Sequence, residues 1–286
     1  MSDAPDAGSP RPRVTIETLA ERKARREPIV MVTAYDHPSA RAADAAGVDV
    51  VLVGDSAAMT VLGYDSTVPI TADEMIMLAS AVRRGLTSPL MVADLPFGSY
   101  EDSDEQAVAT ARRFAESTGC DAVKIEGGGA IVDRARAIVA AGIPVMGHVG
   151  LTPQTAVDFR AQGRTAEAAR DIRDAALALQ DAGCFALVFE AIPGDVTEAV
   201  MPGLRIPVIG IGAGPGTDGQ VLVFHDLLGI SEGRPARFVK RYVDLRAAMV
   251  AGVAAYADDV RSRRYPAPEH GYAMAAGEAE RLRELL

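Results

Sequence analysis

The chain is short of the features that mark several functional classes. Only two cysteines occur among its 286 residues, Cys120 and Cys184. Each follows a glycine and precedes a strand-like run, in TGCDAVKIE and AGCFALVFE, so both read as small buried residues rather than disulfide partners or metal ligands. No stretch reaches the roughly 20 apolar residues that a membrane span needs. The opening MSDAPDAGSPRPR carries no apolar core of the kind a secretion signal has, which predicts a cytoplasmic protein. No basic block is present, and a net charge of −10 makes nucleic acid or an anionic membrane a poor partner. A small anionic substrate stays open, because one local cation is enough to hold it. Internal repeats are absent as well.

What is present points to a single large globular domain, with 49% of residues hydrophobic and 24% charged. Residues 1–13, rich in Pro, Asp, Ser and Gly, are expected to be a disordered extension. TIETLAERKARRE (15–27) reads as a short charged helix. Runs rich in Val, Ile and Leu then recur: 28–36, 48–56, 89–97, 121–128, 143–150, 185–193, 206–214 and 220–229. Helical patterns fill the gaps at 37–47, 72–85, 104–119, 130–142 and 166–183, several ending in Gly as a C-cap does. The gap between the seventh and eighth runs is too short for a full helix.

Buried apolar runs alternating with helices predict parallel strands joined by right-handed crossovers, and about eight such units predict a closed (β/α)8 TIM barrel over residues 14–265. An open doubly wound sheet is the alternative. It calls for a glycine-rich phosphate loop after its first strand, and TAYDHPSA is not one. Residues 245–265 read as a last helix, and 266–286 as a tail ending in the short helix GEAERLRELL.

Barrel enzymes carry their chemistry at the C-terminal ends of the strands. There this sequence places Asp55 and Ser56 (strand two), Asp94 (three), Lys124 and Glu126 (four), His148 (five) and Glu190 (six). Charged groups ending apolar strands are costly unless paired or bound to a cation. Asp55, Asp94 and Glu126 come from consecutive strands, about 4.8 Å apart in a sheet. Oxygen donors so spaced can share one hard divalent ion, magnesium rather than zinc. The plain alternative is that each accepts hydrogen bonds from loop backbone. Lys124 and Glu126 stand two apart on one strand and face the same way, as an anion-binding pair or as a structural ion pair. His148 is flanked by glycines in GHVG, and Glu190 closes the apolar run LVFE, where desolvation makes a carboxylate a stronger base or an arginine pairs with it.

The segments MVTAYD, LVGDSAAMTVLGYDSTVPIT, VADLPFGSY, VKIEGG, GHVGLTPQ, QGR, PVIGIGAG, DGQVLV and RFVKRY stand in one order over about residues 14–270. Together they resemble the ketopantoate hydroxymethyltransferase family. That resemblance implies a phosphoenolpyruvate/pyruvate-like (β/α)8 barrel with one Mg²⁺ held by Asp55, Asp94 and Glu126. It implies a branched 2-oxo acid bound by Ser56, Lys124 and His148 and touched by Asp55 and Asp94, with Glu190 as base. It further implies 5,10-methylenetetrahydrofolate as co-substrate and a homodecamer or other large homo-oligomer. After LTPQ the family carries a segment like SVNxxGGxxVQGR; here TAVDFRAQGR is shorter and lacks the glycine pair. The tail runs beyond EHGYAM, where the family often ends near EHSF. The same chemistry on another branched 2-oxo acid, a Mg²⁺-assisted C–C lyase of a related barrel, and a non-catalytic homologue are the competing readings.

Overall fold

The computed structural model describes residues 11–156 and 160–286. In chain order the first half runs α1 (Ile16–Arg25), β1 (Ile29–Thr33), α2 (His37–Ala46), β2 (Val50–Val53), α3 (Ala57–Thr60), α4 (Ala72–Gly85), β3 (Leu90–Asp94), α5 (Asp104–Thr118) and β4 (Ala122–Glu126). It continues with α6 (Ala130–Ala140), β5 (Val145–Gly150), α7 (Ala166–Asp181), β6 (Ala186–Glu190), α8 (Gly194–Val200), β7 (Val208–Ile211), β8 (Gly219–Leu222) and α9 (Phe224–Leu227). Two later helices, α10 (Leu245–Arg261) and α11 (Glu278–Leu285), follow. Several helices start where a side chain caps their free N–H groups, with reciprocal boxes at Thr15/Thr18, Asp36/Ser39 and Thr71/Glu74.

The eight strands pair in sequence order, all parallel, and β8 pairs with β1 to close the barrel. Alternation along each strand sorts the apolar residues into two layers. Ile29, Met31, Val50, Leu52, Leu90, Val92, Met146, Val188 and Ile209 fill the inside of the barrel. Val51, Met91, Val123, Ile125, Val145, Leu187 and Phe189 point outward and pack under the helices. Leu19 of α1, fully buried, joins the inner layer with Val14. The N-terminal helix therefore plugs the bottom of the barrel, away from the strands' C-terminal ends.

Residues 1–10, most of the stretch expected to be disordered, lie outside the described residues. Beyond them, Arg11 donates to the Asp44 carbonyl at 2.6 Å and Arg13 pairs with Asp121. The apolar run 220–229 is not one strand. Its ladder ends at Leu222, because the Phe224 N–H donates to Thr33 Oγ1 at 2.8 Å and the chain turns into α9. The segment before β7 holds a short helix, α8, that periodicity did not predict. As expected, β7 and β8 are joined without a helix. Among the described residues no helix is long and apolar enough to cross a membrane.

Candidate active site

The inward parity that places Leu90 and Val92 inside the barrel carries on to Asp94 at the end of β3. The same phase puts Lys124 and Glu126 of β4, His148 of β5 and Glu190 of β6 at the inner rim. Register then sets their neighbours: Asp94 stands beside Lys124, Glu126 beside His148, and His148 beside Val188. Asp55 and Ser56 reach the rim differently. β2 ends at Val53, two residues before the position expected, and the chain turns there. The Asp55 N–H leaves the ladder and donates to Asp94 Oδ2 at 3.0 Å. That bond swings Asp55 to the barrel axis, where simple alternation would have pointed it outward.

All seven residues singled out in the sequence line one cavity of about 690 Å³ at the barrel mouth. Asp55, Asp94, Lys124, Glu126 and His148 are buried, and Ser56 and Glu190 are partly exposed to the cavity. Lys124 Nζ lies 2.6 Å from Asp94 Oδ1, so its ion-pair partner is Asp94 and not Glu126. Burial works against the charge on Lys124, but Asp94, Glu126 and Asp55 outweigh it and raise its pKa. Burial and the neighbouring Asp94 push Asp55 well above the usual carboxylate range. Glu126 is pushed up by burial, yet the imidazole of His148 and Lys124 more than compensate and hold it low. His148 stands between two carboxylates, its Nδ1 3.1 Å from Glu126 Oε2 and its Nε2 3.4 Å from Glu190 Oε2. Both are ion-pair distances without hydrogen-bond geometry. Burial raises the Glu190 carboxyl above its ordinary value.

Gln154 links these groups, and strand-end reasoning did not find it. Gly150 closes β5 with φ +102°, and a Cβ there would stand 2.2 Å from the Glu190 carbonyl. Only glycine lets the chain cross β6 so closely and turn back over the mouth. The turn brings the Gln154 N–H to Glu126 Oε1 at 2.7 Å and its Nε2 to Asp55 Oδ2 at 2.9 Å and Leu95 O at 3.0 Å. Tyr100 Oη completes the strap, donating to Gln154 Oε1 at 2.6 Å. The LTPQ motif was the available signal, but nothing in spacing tells a strap from a loop. Thr33 and Tyr35 were missed as well: Thr33 Oγ1 donates to Tyr35 Oη at 2.9 Å, and Tyr35 Oη lies 2.8 Å from Ser56 Oγ. His225 also lines the cavity, although its sequence surroundings singled out nothing.

Among the described residues no group of three or more acidic, His or Cys side chains already stands at metal-binding spacing. Lys124 and Gln154 hold Asp94 and Asp55 where a cation can compete for them. The donor set nevertheless fits a hard divalent ion: carboxylate oxygens, no thiolate, and Asp55, Asp94, Glu126 and Glu190 set against the one lysine of the cavity. The segment TAVDFRAQGR, expected to reshape the mouth, includes residues 157–159, which lie outside the described residues.

Residues 13–268 match the family profile described as ketopantoate hydroxymethyltransferase. A 3-methyl-2-oxobutanoate hydroxymethyltransferase of Moorella thermoacetica is 53% identical over 265 residues, covering 92% of this chain and 98% of that one. The enzyme of the same name in Saccharopolyspora erythraea is 52% identical over 94% of this chain and 93% of its own. A mitochondrial form from Arabidopsis thaliana is 47% identical over 96% and 82%. In fold, the chain is similar to a phosphonopyruvate hydrolase solved with oxalate and Mg²⁺, with TM-score 0.61 and 12% identity over 95% of this chain and 98% of that one. It is also similar to 2,3-dimethylmalate lyase of the PEP mutase/isocitrate lyase superfamily, with TM-score 0.53 and 19% identity over 94% and 93%.

Proposed function

The chain belongs to the ketopantoate hydroxymethyltransferase family, and from that premise we propose that it makes 2-dehydropantoate from 3-methyl-2-oxobutanoate, 5,10-methylenetetrahydrofolate and water. The observation that carries this reading is the shared cavity, where a buried cation, a set of carboxylates and a desolvated base converge. Lys124 binds the acid's carboxylate, and Ser56, held by Tyr35, donates to it. Mg²⁺ on Asp55, Asp94 and Glu126 would supply Lewis-acid stabilisation of the negative charge that develops on the keto oxygen. His148 lies between Glu126 and Glu190, 3.4 Å from the base. Glu190 removes the proton from carbon-3, and its raised pKa makes it stronger than an exposed carboxylate. Carbon-3 then forms a bond to the one-carbon unit of the folate. Water supplies the hydroxyl, and tetrahydrofolate leaves.

We read the working form as a homo-oligomer, ten subunits being what the resemblance implies. On α10 no residue is buried, and Met249, Val253, Tyr256 and Val260 form one stripe at helical spacing. Such a stripe supports burial against further copies of the chain.

The base is tested by following exchange of the carbon-3 proton of 3-methyl-2-oxobutanoate with deuterium by NMR, in the presence of Mg²⁺ and without folate. Wild type is expected to exchange it, and Glu190→Gln to bind the acid but not exchange. Exchange at the wild-type rate in that variant removes Glu190 as base.

A further inference from the structure

The acid-binding groups occupy one side of the mouth, and the other side has no role in that chemistry. They come from the ends of β2 to β6. In a closed ring of eight, β8 stands across from β4, and the chain after β8 lines the same cavity with Val223, His225, Asp226, Ile230 and Phe238. A cavity of about 690 Å³ is the size that takes a drug-sized ligand, far more than a five-carbon acid fills. We propose that this wall is the docking site for the pterin ring of the folate donor, with Asp226 reading its N–H edge and Phe238 its flat face. The inference rests on the proposed reaction and adds to it where the second substrate sits.

Two features fit the wall to a pterin. The first is a carboxylate with an oxygen to spare. Asp226 Oδ1 accepts from Ser231 Oγ at 2.6 Å, which fixes the side chain. Its other oxygen accepts no hydrogen bond among the described residues. A reduced pterin presents its 2-amino group and N3–H side by side, donors that one carboxylate matches, while a 2-oxo acid has no such donors.

The second feature is an aromatic platform. Phe238 is 37% exposed and belongs to the RFVKRY segment, to which the keto-acid chemistry gives no task. Its ring rests on Gly212 of GIGAG, where a Cβ would stand 2.5 Å from the ring, so a glycine is needed to seat it. A seated ring loses little freedom when a flat ligand stacks on it. Beside them, His225 Nδ1 is buried without a hydrogen-bond partner among the described residues. The His225 ring lies 5.3 Å from that of Tyr35, whose hydroxyl reaches Ser56, so the two halves of the cavity adjoin.

The test is calorimetric titration of tetrahydrofolate, under reducing conditions, into the full chain with Mg²⁺ and 3-methyl-2-oxobutanoate present. Asp226→Asn keeps an acceptor for Ser231 but turns an N–H₂ towards the pterin donors. It is expected to raise the Kd for tetrahydrofolate about 10- to 100-fold, the loss of a charge-assisted pair, with the Kd for the 2-oxo acid within about twofold. Phe238→Ala, on an exposed loop, is expected to weaken folate by about tenfold in the same selective way. Wild-type folate affinity in both variants overturns the assignment of this wall. Wild-type protein that binds the 2-oxo acid but no tetrahydrofolate overturns the donor reading itself, and this inference with it.

Discussion

At the scale of single residues the site is a balance of buried charges, and each substitution tests one part of it. Asp94 accepts from both Lys124 Nζ and the Asp55 N–H, so Asp94→Asn retains acceptor geometry and loses the charge beside a buried ammonium. Loss of Mg²⁺-dependent turnover with a preserved circular dichroism spectrum is expected; full activity in that variant would remove Asp94 from the metal set. Gln154→Ala cuts the strap between Asp55 and Glu126. Outer partners of metal ligands typically contribute about 10- to 100-fold in affinity, and a drop of that size in Mg²⁺ affinity by calorimetry is expected. Unchanged affinity would reduce Gln154 to loop packing. Glu190 must be ionised to act, and its raised pKa means it keeps its proton to higher pH than an exposed carboxylate. The deuterium-exchange rate should therefore fall towards acid with a midpoint above about 4.3, the unperturbed Glu value. A midpoint at or below that value would contradict the desolvated base.

Among the elements, α1 and the strand ends divide the labour of stability and chemistry. Leu19 on α1 is fully buried at the bottom of the barrel, far from the rim. Leu19→Ala opens a cavity there and should cost about 2–5 kcal/mol in chemical denaturation. Because the plug touches no site residue, affinity for Mg²⁺ should survive in the folded fraction, and parallel loss of both would show the two ends to be coupled. The elements legible in sequence were those with strong periodicity. The five helical patterns between 37 and 183 fold within a few residues of their expected bounds, because each has an apolar stripe and four of them begin at a side-chain cap, Asp36, Thr71, Ser103 or Thr165. Misread elements were short and decided by distant partners. The run 220–229 is mostly apolar, and a bond from the Phe224 N–H to Thr33, far away in sequence, marks where it divides into β8 and α9.

For the whole molecule, the exposed face of α10 is where the proposed oligomer is tested. Met249, Val253, Tyr256 and Val260 are 44–68% exposed along one stripe, an arrangement that water penalises. Val253→Glu is expected to shift the sedimentation profile to smaller species. An unchanged oligomer would place the interface elsewhere, and a wild-type monomer would end the oligomeric reading. The barrel itself needs no partner for its core, since the inner layer is filled by its own strands and α1.

The sequence alone determined the barrel and the seven rim residues. The sequence implies the barrel through apolar runs that alternate with helices, and it carries Asp94, Lys124, Glu126, His148 and Glu190 inward by parity, though not Asp55. It also carried the family, since the motifs stand in order along the chain. Tertiary structure decided which charges meet. Lys124 pairs with Asp94 across a strand boundary, Asp55 reaches the axis through a bond to that same residue, and Gln154 is delivered by a turn. Those partners lie 30, 39 and 99 residues apart, and such contacts exist only once the sheet has closed.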